Sequence, residues 1–408
     1  MFNDLAVPGM GGVWFGKQLF LATLGVAVCE EARQHNVRLE NIKVANAIEA
    51  LACWMQHQAN DGRRDERLRG IQKLSGVNGT PLFASFGQPG FYVSQPMRMA
   101  TVQALKALGL VDSVGERFNS YGCTNAGMAF IRAVVGKHRP HNGDAVAVLG
   151  KWVCGKTKNV DTAAMRAILS PTSPLPLDAA AILRELIVRG DGVGPSRRRD
   201  ALEWIGSLDA KSRYNGQGRP PALSAEHWLG VQAGALFFAL QAAAYKVLDA
   251  IEVVLAAGLG QPLGLETALV PKVCAAVATL RAAAARYLDH GFNDLDGTGA
   301  NTFAHACVAA SDADVIKELV ERDERVLRLR DGMIVPGQAF DPARVAEGNR
   351  PEDPDLPDAP EATSTFPLPD DVSYRLRNLF LLNLDMNGQL DSRLHRTNPP
   401  PRTSNGQA

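Results

Sequence analysis

The sequence has few of the features that mark a catalytic or secreted protein. Its six cysteines include no Cys-x-x-Cys pair, and several lie in apolar helical segments, which is typical of reduced core thiols. Aromatic residues make up only 6% of the chain. Basic and acidic residues both number 43, so no overall charge attracts nucleic acid or a membrane surface. Any such attraction has to be local.

The chain also lacks a long hydrophobic run free of charge. Its N-terminus has neither the basic start nor the continuous apolar stretch of a secretory signal. The most apolar segment begins at Trp228, but Lys246, Asp249 and Glu252 interrupt it. A spanning helix needs about 20 apolar residues without such charges. We therefore expect a buried helix there, and a cytoplasmic protein that makes no membrane contact.

Helical periodicity dominates what is present. A chain of 408 residues is long enough for two or three domains. Apolar residues recur at helical spacing through most of it, which predicts a mainly α-helical fold with a small β-hairpin. We expect five segments. They are a helical N-terminal segment (1–78), a winged-helix-like unit (79–137), a larger α-helical domain (138–345), an acidic proline-rich linker (346–371), and a C-terminal docking element with a disordered tail (372–408).

The stretch ALGLVDSVGERFNSYGCTNAG, residues 107–127, lies between two predicted helices. Its glycine-containing turn between alternating residues indicates a hairpin, with Phe118 and Tyr121 on the return strand facing inward. Thr124 and Gly127 stand where the next helix begins. In this order of elements, residues 80 to 135 resemble the second half of a winged helix-turn-helix domain. The resemblance implies a recognition helix followed by a two-stranded wing.

Such a unit presents polar side chains to base edges and cations to phosphates. From residue 117 to residue 160, seven lysines and arginines face a single acid, Asp144, and a basic face of this kind binds nucleic acid with salt-sensitive affinity. In the alternative, the hairpin packs internally and the unit docks onto protein. The candidate nucleic-acid-binding residues are Arg98 and Gln103 nearest the bases, and Lys106, Arg117, Arg132, Lys137 and Arg139 against phosphate.

The segment GKWVCGKT, residues 150–157, satisfies the formula of a phosphate-binding loop. In such a loop Lys156 would reach the phosphates and Thr157 a magnesium ion. However, Trp152 and Val153 occupy positions where the backbone has to approach phosphate closely, and no alternation of strands and helices follows. We expect a buried helix or connector that carries an aromatic core residue, and no cofactor.

No other pattern indicates a known chemistry. The stretch DLDGTGANTFAH, residues 294–305, begins like a calcium loop but ends in His305 where a bidentate glutamate is required. His290, His305, Cys274 and Cys307 lack the spacing of a zinc site. No Ser-His-Asp pattern, nucleophile elbow or paired carboxylates are visible, although an active site can assemble from distant residues. We expect no metal site and favour a protein that is not an enzyme.

Three functional hypotheses remain. The leading one is a non-enzymatic nucleic-acid-binding or adaptor subunit of a bacterial DNA-handling assembly, such as one for phage defence. That context rests on the lack of catalytic patterns and on no motif. The second is a structural subunit whose helical body and C-terminal element bind protein partners. The third is a nucleotide-dependent enzyme built on Lys156 and Thr157.

Overall fold

The computed structural model describes residues 2–60, 65–79, 81–115, 117–209, 218–292, 299–342, 366–369 and 371–397. Within these ranges the chain is mainly helical, which confirms the expected fold class. Most of the expected acidic linker, the first part of the calcium-like stretch and the C-terminal tail lie outside the described residues. Contacts between residues divide the chain into two compact units.

The secondary structure is as follows. The helices in chain order are α1 (Phe2–Ala6), α2 (Gly16–Gln34), α3 (Asn41–Ala59), α4 (Ile71–Leu74), α5 (Phe83–Phe86), α6 (Arg98–Ala107), α7 (Asn125–Val135), α8 (Ala145–Val153), α9 (Ala163–Leu169), α10 (Leu177–Val188), α11 (Val193–Gly206), α12 (Ala225–Ala257), α13 (Pro271–Asp289), α14 (Ala300–Ala309), α15 (Asp312–Asp323), α16 (Tyr374–Met386) and α17 (Leu390–Thr397). The strands are β1 (Val111–Asp112), β2 (Gly122–Cys123), β3 (Leu263–Gly264), β4 (Leu327–Arg330) and β5 (Met333–Pro336), and two 3-10 helices span Phe118–Ser120 and Pro140–Asn142.

The larger unit comprises residues 7–223 together with 366–368 and 374–397. Helix α2 lies at its centre and buries 15 of its 19 residues, because it is apolar on all faces. It packs against α3, α6, α7 and α8. The predicted boundaries after residues 78 and 137 fall inside this unit, since α2 contacts helices on both sides of them.

The C-terminal element belongs to the larger unit rather than projecting from it. Helix α16 buries 11 of its 13 residues and packs mainly against α10 and α11. The Oδ2 atom of Asp385 accepts a hydrogen bond from the backbone N–H of Gly16 over 2.8 Å. This helix therefore docks on its own chain, and its buried face is not available to a protein partner.

The smaller unit comprises residues 2–6, the described part of 224–342, and residues 369 and 371–373. The long helix α12 packs against α1 and α13, and α14 and α15 complete the helical body. An aromatic cluster of Phe2, Phe237, Tyr287 and Phe292 lies in its core. The charged positions in α12 fit the expected role as a core helix, and none of the described helices is both long and apolar enough to cross a membrane.

The C-terminal end of the expected α-helical domain (138–345) is not helical but forms strands. Strands β4 and β5 form an antiparallel hairpin with Leu329 opposite Ile334, and β3 pairs on the other side of β5. The alternating Leu-Arg-Leu-Arg segment places leucines inward and arginines outward. Asp331 and Gly332 form the turn with φ values of 49° and 75°, as a two-residue hairpin turn requires.

Candidate nucleic-acid interface

The predicted hairpin is present, but it is shorter than the sequence indicates. Strand β1 pairs antiparallel with β2, with Val111 opposite Cys123. The expected return strand over residues 117–121 is instead a 3-10 helix, and pairing begins only at Gly122. The inward orientation of Phe118 and Tyr121 is confirmed, since both side chains are buried and their ring centroids lie 5.4 Å apart.

The return arm of the hairpin is held against helix α3. The Nδ2 atom of Asn41 donates to the carbonyl oxygens of Phe118 (3.0 Å) and Tyr121 (2.8 Å). In the opposite direction, the Oδ1 atom of Asn119 accepts from the backbone N–H of Ile42 over 2.9 Å. Most of the return arm is therefore packed internally. Val114 and Arg117 at the tip are exposed, as are Asn119 and Ser120 on the return arm.

A buried carboxylate fixes the N-terminus of helix α6, the candidate recognition helix. Glu49 accepts hydrogen bonds from the Tyr92 hydroxyl and from the backbone N–H groups of Met97 (2.5 Å) and Arg98 (3.0 Å). Burial raises the pKa of Glu49, and these hydrogen bonds partly oppose that shift. A carboxylate at this position also interacts favourably with the helix dipole.

Arg98 does not extend into solvent. Its Nε atom donates to the Oδ1 atom of Asn46 over 2.6 Å, and its guanidinium lies 5.3 Å from the centroid of the Phe118 ring. Burial lowers the pKa of Arg98. The side chain thus connects α3, α6 and the hairpin.

The N-terminal loop packs against part of α6. The backbone N–H of Gly12 donates to the Ala100 carbonyl oxygen over 3.0 Å. A Cβ atom on Gly11 would lie 2.5 Å from that same oxygen, and one on Gly9 would lie 2.5 Å from the Cβ of Ala107. The Oε1 atom of Gln103 accepts from the Arg375 guanidinium over 3.1 Å. Gln103 therefore has its acceptor engaged within the chain, although part of the side chain is exposed.

The turn at Thr124 forms as expected from the sequence. The Thr124 hydroxyl accepts from the backbone N–H of Gly127 (3.0 Å), which caps helix α7, and donates to the Gly109 carbonyl oxygen (2.6 Å). A Cβ atom on Gly127 would lie 2.2 Å from the Leu110 carbonyl oxygen. This close approach explains the glycine and joins the end of α6 to the start of α7.

The five candidate phosphate contacts are all exposed, and among the described ion pairs none involves them. The first acid after Arg139 in the sequence, Asp144, is engaged elsewhere, because its Oδ1 atom caps α8 through Val146 (2.9 Å) and Ala147 (3.2 Å). The five residues are Lys106 in the last turn of α6, Arg117 at the hairpin tip, Arg132 on α7, and Lys137 and Arg139 in the loop after α7.

Acidic residues from helix α2 approach the same region. Because α2 lies outside residues 117–160, the excess of basic residues in that stretch of sequence does not take them into account. The Oε1 atom of Glu30 accepts from the backbone N–H of Cys123 over 2.9 Å. A Cβ atom on Gly150 would lie 2.5 Å from the Cγ of Glu31, so that side chain lies against α8. These carboxylates reduce the positive potential near the hairpin and near α8.

The segment GKWVCGKT does not form a phosphate loop. Its first four residues end helix α8, and the indole of Trp152 is buried and donates to the Pro81 carbonyl oxygen over 2.7 Å. The backbone N–H of Lys156 donates to the Lys151 carbonyl oxygen over 2.8 Å, and the N–H of Gly155 to that of Trp152 over 3.0 Å. These N–H groups satisfy a helix C-terminus, where the dipole repels phosphate. The expected buried helix with an aromatic core residue is confirmed.

The two other ligand patterns in the sequence lead to no site here. Residues 294–298 of the calcium-like stretch lie outside the described part of the chain. Within the described part, no three His, Cys, Asp or Glu residues are grouped so as to hold a metal ion. The chain matches no protein-family model, no curated protein and no solved structure.

Proposed function

We propose that the chain is a non-enzymatic nucleic-acid-binding or adaptor subunit of a DNA-handling assembly, and that it acts in the cytoplasm. Its six cysteines are free thiols, which is compatible with a reducing compartment. The phosphate contacts would be made by Lys106, Arg117, Arg132, Lys137 and Arg139.

One observation carries this proposal. Five cations on consecutive elements are exposed and stand outside the described ion pairs, while Asp144 is engaged in capping a helix. When cations that the protein does not neutralise contact nucleic acid, they release the counterions condensed on it, and this release favours binding.

The test is a binding titration against a 30-base-pair DNA duplex and an RNA duplex at several salt concentrations. Wild type is compared with the triple variant Arg117→Ala/Lys137→Ala/Arg139→Ala. Each lost phosphate contact reduces the slope of log K against log salt by about 0.9, so the variant is expected to lose about 2 to 3 units of slope. Circular dichroism checks that the variant is folded.

A matched control removes two arginines and one lysine from the exposed surface of the smaller unit: Lys272→Ala/Arg286→Ala/Arg330→Ala. The control is expected to bind like wild type. If wild type fails to bind at low salt, or if the control loses as much affinity as the test variant, nucleic-acid binding through these five cations is excluded.

A role in protein binding is favoured by one separate observation. Helix α12 leaves Phe238, Tyr245 and Val253 exposed by 39%, 49% and 41%, and these residues follow one another at seven- and eight-residue intervals along the helix. A partner held by this face would stay bound at high salt, because apolar contacts are not screened. Loss of that partner in a Phe238→Ser/Tyr245→Ser variant, with DNA binding unchanged, would assign the helical body to protein interaction.

A further inference from the structure

The loops that follow helices α7 and α8 are joined side by side. The Nε2 atom of His141 lies 2.7 Å from the Asn159 carbonyl oxygen, which connects the 3-10 helix Pro140–Asn142 to the segment after α8. His141 and Asn142 both have left-handed backbone conformations, with φ values of 50° and 58°. Two successive non-glycine residues in this region are strained, and such strain persists only where the surrounding contacts enforce it.

Four exposed cations flank this junction. Lys137 and Arg139 precede His141 in the first loop, and Lys156 and Lys158 precede Asn159 in the second. We call these four residues the loop surface. The Arg139 guanidinium donates through one nitrogen to the carbonyl oxygens of Gly136 (3.0 Å) and His138 (2.9 Å), which holds the side chain in place with its other nitrogens still available as donors.

The acids closest in sequence to the loop surface already hold structural hydrogen bonds. Asp144 caps α8, and Asp161 accepts two hydrogen bonds from the Arg166 guanidinium, at 2.5 and 2.7 Å. Glu31 lies against Gly150, and both Glu31 and Lys156 act electrostatically on the Cys154 thiol. Among the described ion pairs, none involves a residue of the loop surface.

Helix α6, in contrast, leaves one face exposed, formed by Met99, Gln103, Lys106 and Ala107. Its N-terminal arginine is bound to Asn46 and stacked on Phe118, and residues 9–12 cover Ala100 and Ala107. Of the exposed side chains of α6, only Gln103 carries an acceptor and donor pair that matches a base edge, and its Oε1 atom already accepts from Arg375 over 3.1 Å.

From this arrangement, and resting on the proposed nucleic-acid binding, we infer that the chain holds a duplex through its phosphodiester backbone alone. The loop surface makes the central contacts, and α6 serves as a structural support that reads no bases. Binding of this kind depends steeply on salt and only weakly on sequence. The loop surface has no exposed Phe, Tyr or Trp on which unpaired bases would stack, so duplexes are preferred to single strands.

The experiment extends the salt titration to three DNA duplexes that are AT-rich, GC-rich and mixed, an RNA duplex, and a single strand of equal length. The double variant Lys156→Ala/Lys158→Ala is compared with Lys246→Ala/Lys272→Ala, which removes two exposed lysines of the smaller unit. The test variant is expected to lose about 2 units of salt slope on every duplex, and the control none. The three DNA duplexes are expected to bind within about threefold of one another, and Gln103→Ala is expected to leave their affinities unchanged.

Each of the other outcomes contradicts one part of this inference. A preference above about tenfold for one duplex that Gln103→Ala abolishes would show base reading by α6. The second loop would be excluded from the interface if Lys156→Ala/Lys158→Ala left binding unchanged. This outcome requires that Arg117→Ala/Lys137→Ala/Arg139→Ala weakens binding in the same experiment. Stronger binding to the single strand would exclude duplex selection. Absence of wild-type binding to every probe would exclude the proposed function, and this inference with it.

Discussion

The Asp385 carboxylate accepts the backbone N–H of Gly16 over 2.8 Å, across 369 residues of sequence, and so connects α16 to the first turn of α2. The neighbouring Lys17 is also buried, and its Nζ atom donates to the Ile168 carbonyl oxygen over 2.8 Å. Burial raises the pKa of Asp385 to about 6 and lowers the pKa of Lys17 to about 8. Both shifts favour the neutral form, so desolvation outweighs the mutual attraction of this pair.

This arrangement predicts a pH dependence of stability. Folding raises the pKa of Asp385 from its usual 3.8 to about 6, so the folded state binds the proton more tightly than the unfolded state. Its contribution to the free energy of unfolding is therefore complete below about pH 4 and is lost as the pH rises to about 6. The contribution is about 3 kcal/mol by the linkage relation.

Asp385→Asn isolates this contribution, since the amide oxygen can still accept from Gly16 but the side chain no longer titrates. In urea unfolding from pH 4 to pH 7, wild type is expected to lose stability relative to Asp385→Asn as the pH increases. Lys17→Met is the companion variant, and its effect is expected between pH 8 and 10 instead. Parallel curves for wild type and Asp385→Asn from pH 4 to pH 7 would contradict the prediction.

Helices α2 and α3 cross at Gly25, which has no room for a side chain. A Cβ atom at this position would lie 2.6 Å from both the Cα and the Cβ of Ala45. Gly25→Ala is therefore expected to lower the free energy of unfolding by about 1 to 3 kcal/mol, because the two backbones have to separate. Gly206→Ala in α11 is the control, since no atom lies within 4 Å of its Cβ position. The control is expected to be neutral or stabilising by up to about 1 kcal/mol, and equal losses in both variants would contradict the steric account.

The cap at Thr124 connects the hairpin to α7, so its removal is expected to affect stability and leave phosphate contacts in place. Thr124→Ala removes the acceptor for the N–H of Gly127 and the donor to Gly109, at a cost of about 1 to 2 kcal/mol. Thr124→Ser is expected to restore most of that loss. Thermal unfolding monitored by circular dichroism measures the difference, and a serine variant as unstable as the alanine variant would argue against the hydroxyl as its cause.

Local signals in the sequence predicted the helices, the cap at Thr124 and the burial of Phe118 and Tyr121, because each depends on residues a few positions apart. The role of Arg98 depends instead on Asn46 and Glu49, roughly fifty positions away. The loop at Gly11 and Gly12, which packs against α6, is more distant still in the sequence. No single-sequence pattern encodes these contacts. The hairpin of β4 and β5 could have been predicted from the sequence. Leu and Arg alternate before Asp331–Gly332, which is the period of two of a strand rather than the 3.6 of a helix.

The burial of α16 predicts that the C-terminal element is needed for folding. Truncation after Ser373 removes α16 and exposes the apolar surfaces of α10 and α11 that it covers, together with the N–H of Gly16 that Asp385 accepts. We expect the truncated chain to aggregate or to lose its cooperative unfolding transition, since burying one large apolar side chain contributes about 1.5 to 3 kcal/mol and α16 buries several. Truncation after Thr397 is the control and removes none of the described residues. A chain ending at Ser373 that unfolds cooperatively at the wild-type temperature would instead identify α16 as a detachable element, and its buried face would again become a candidate for partner binding.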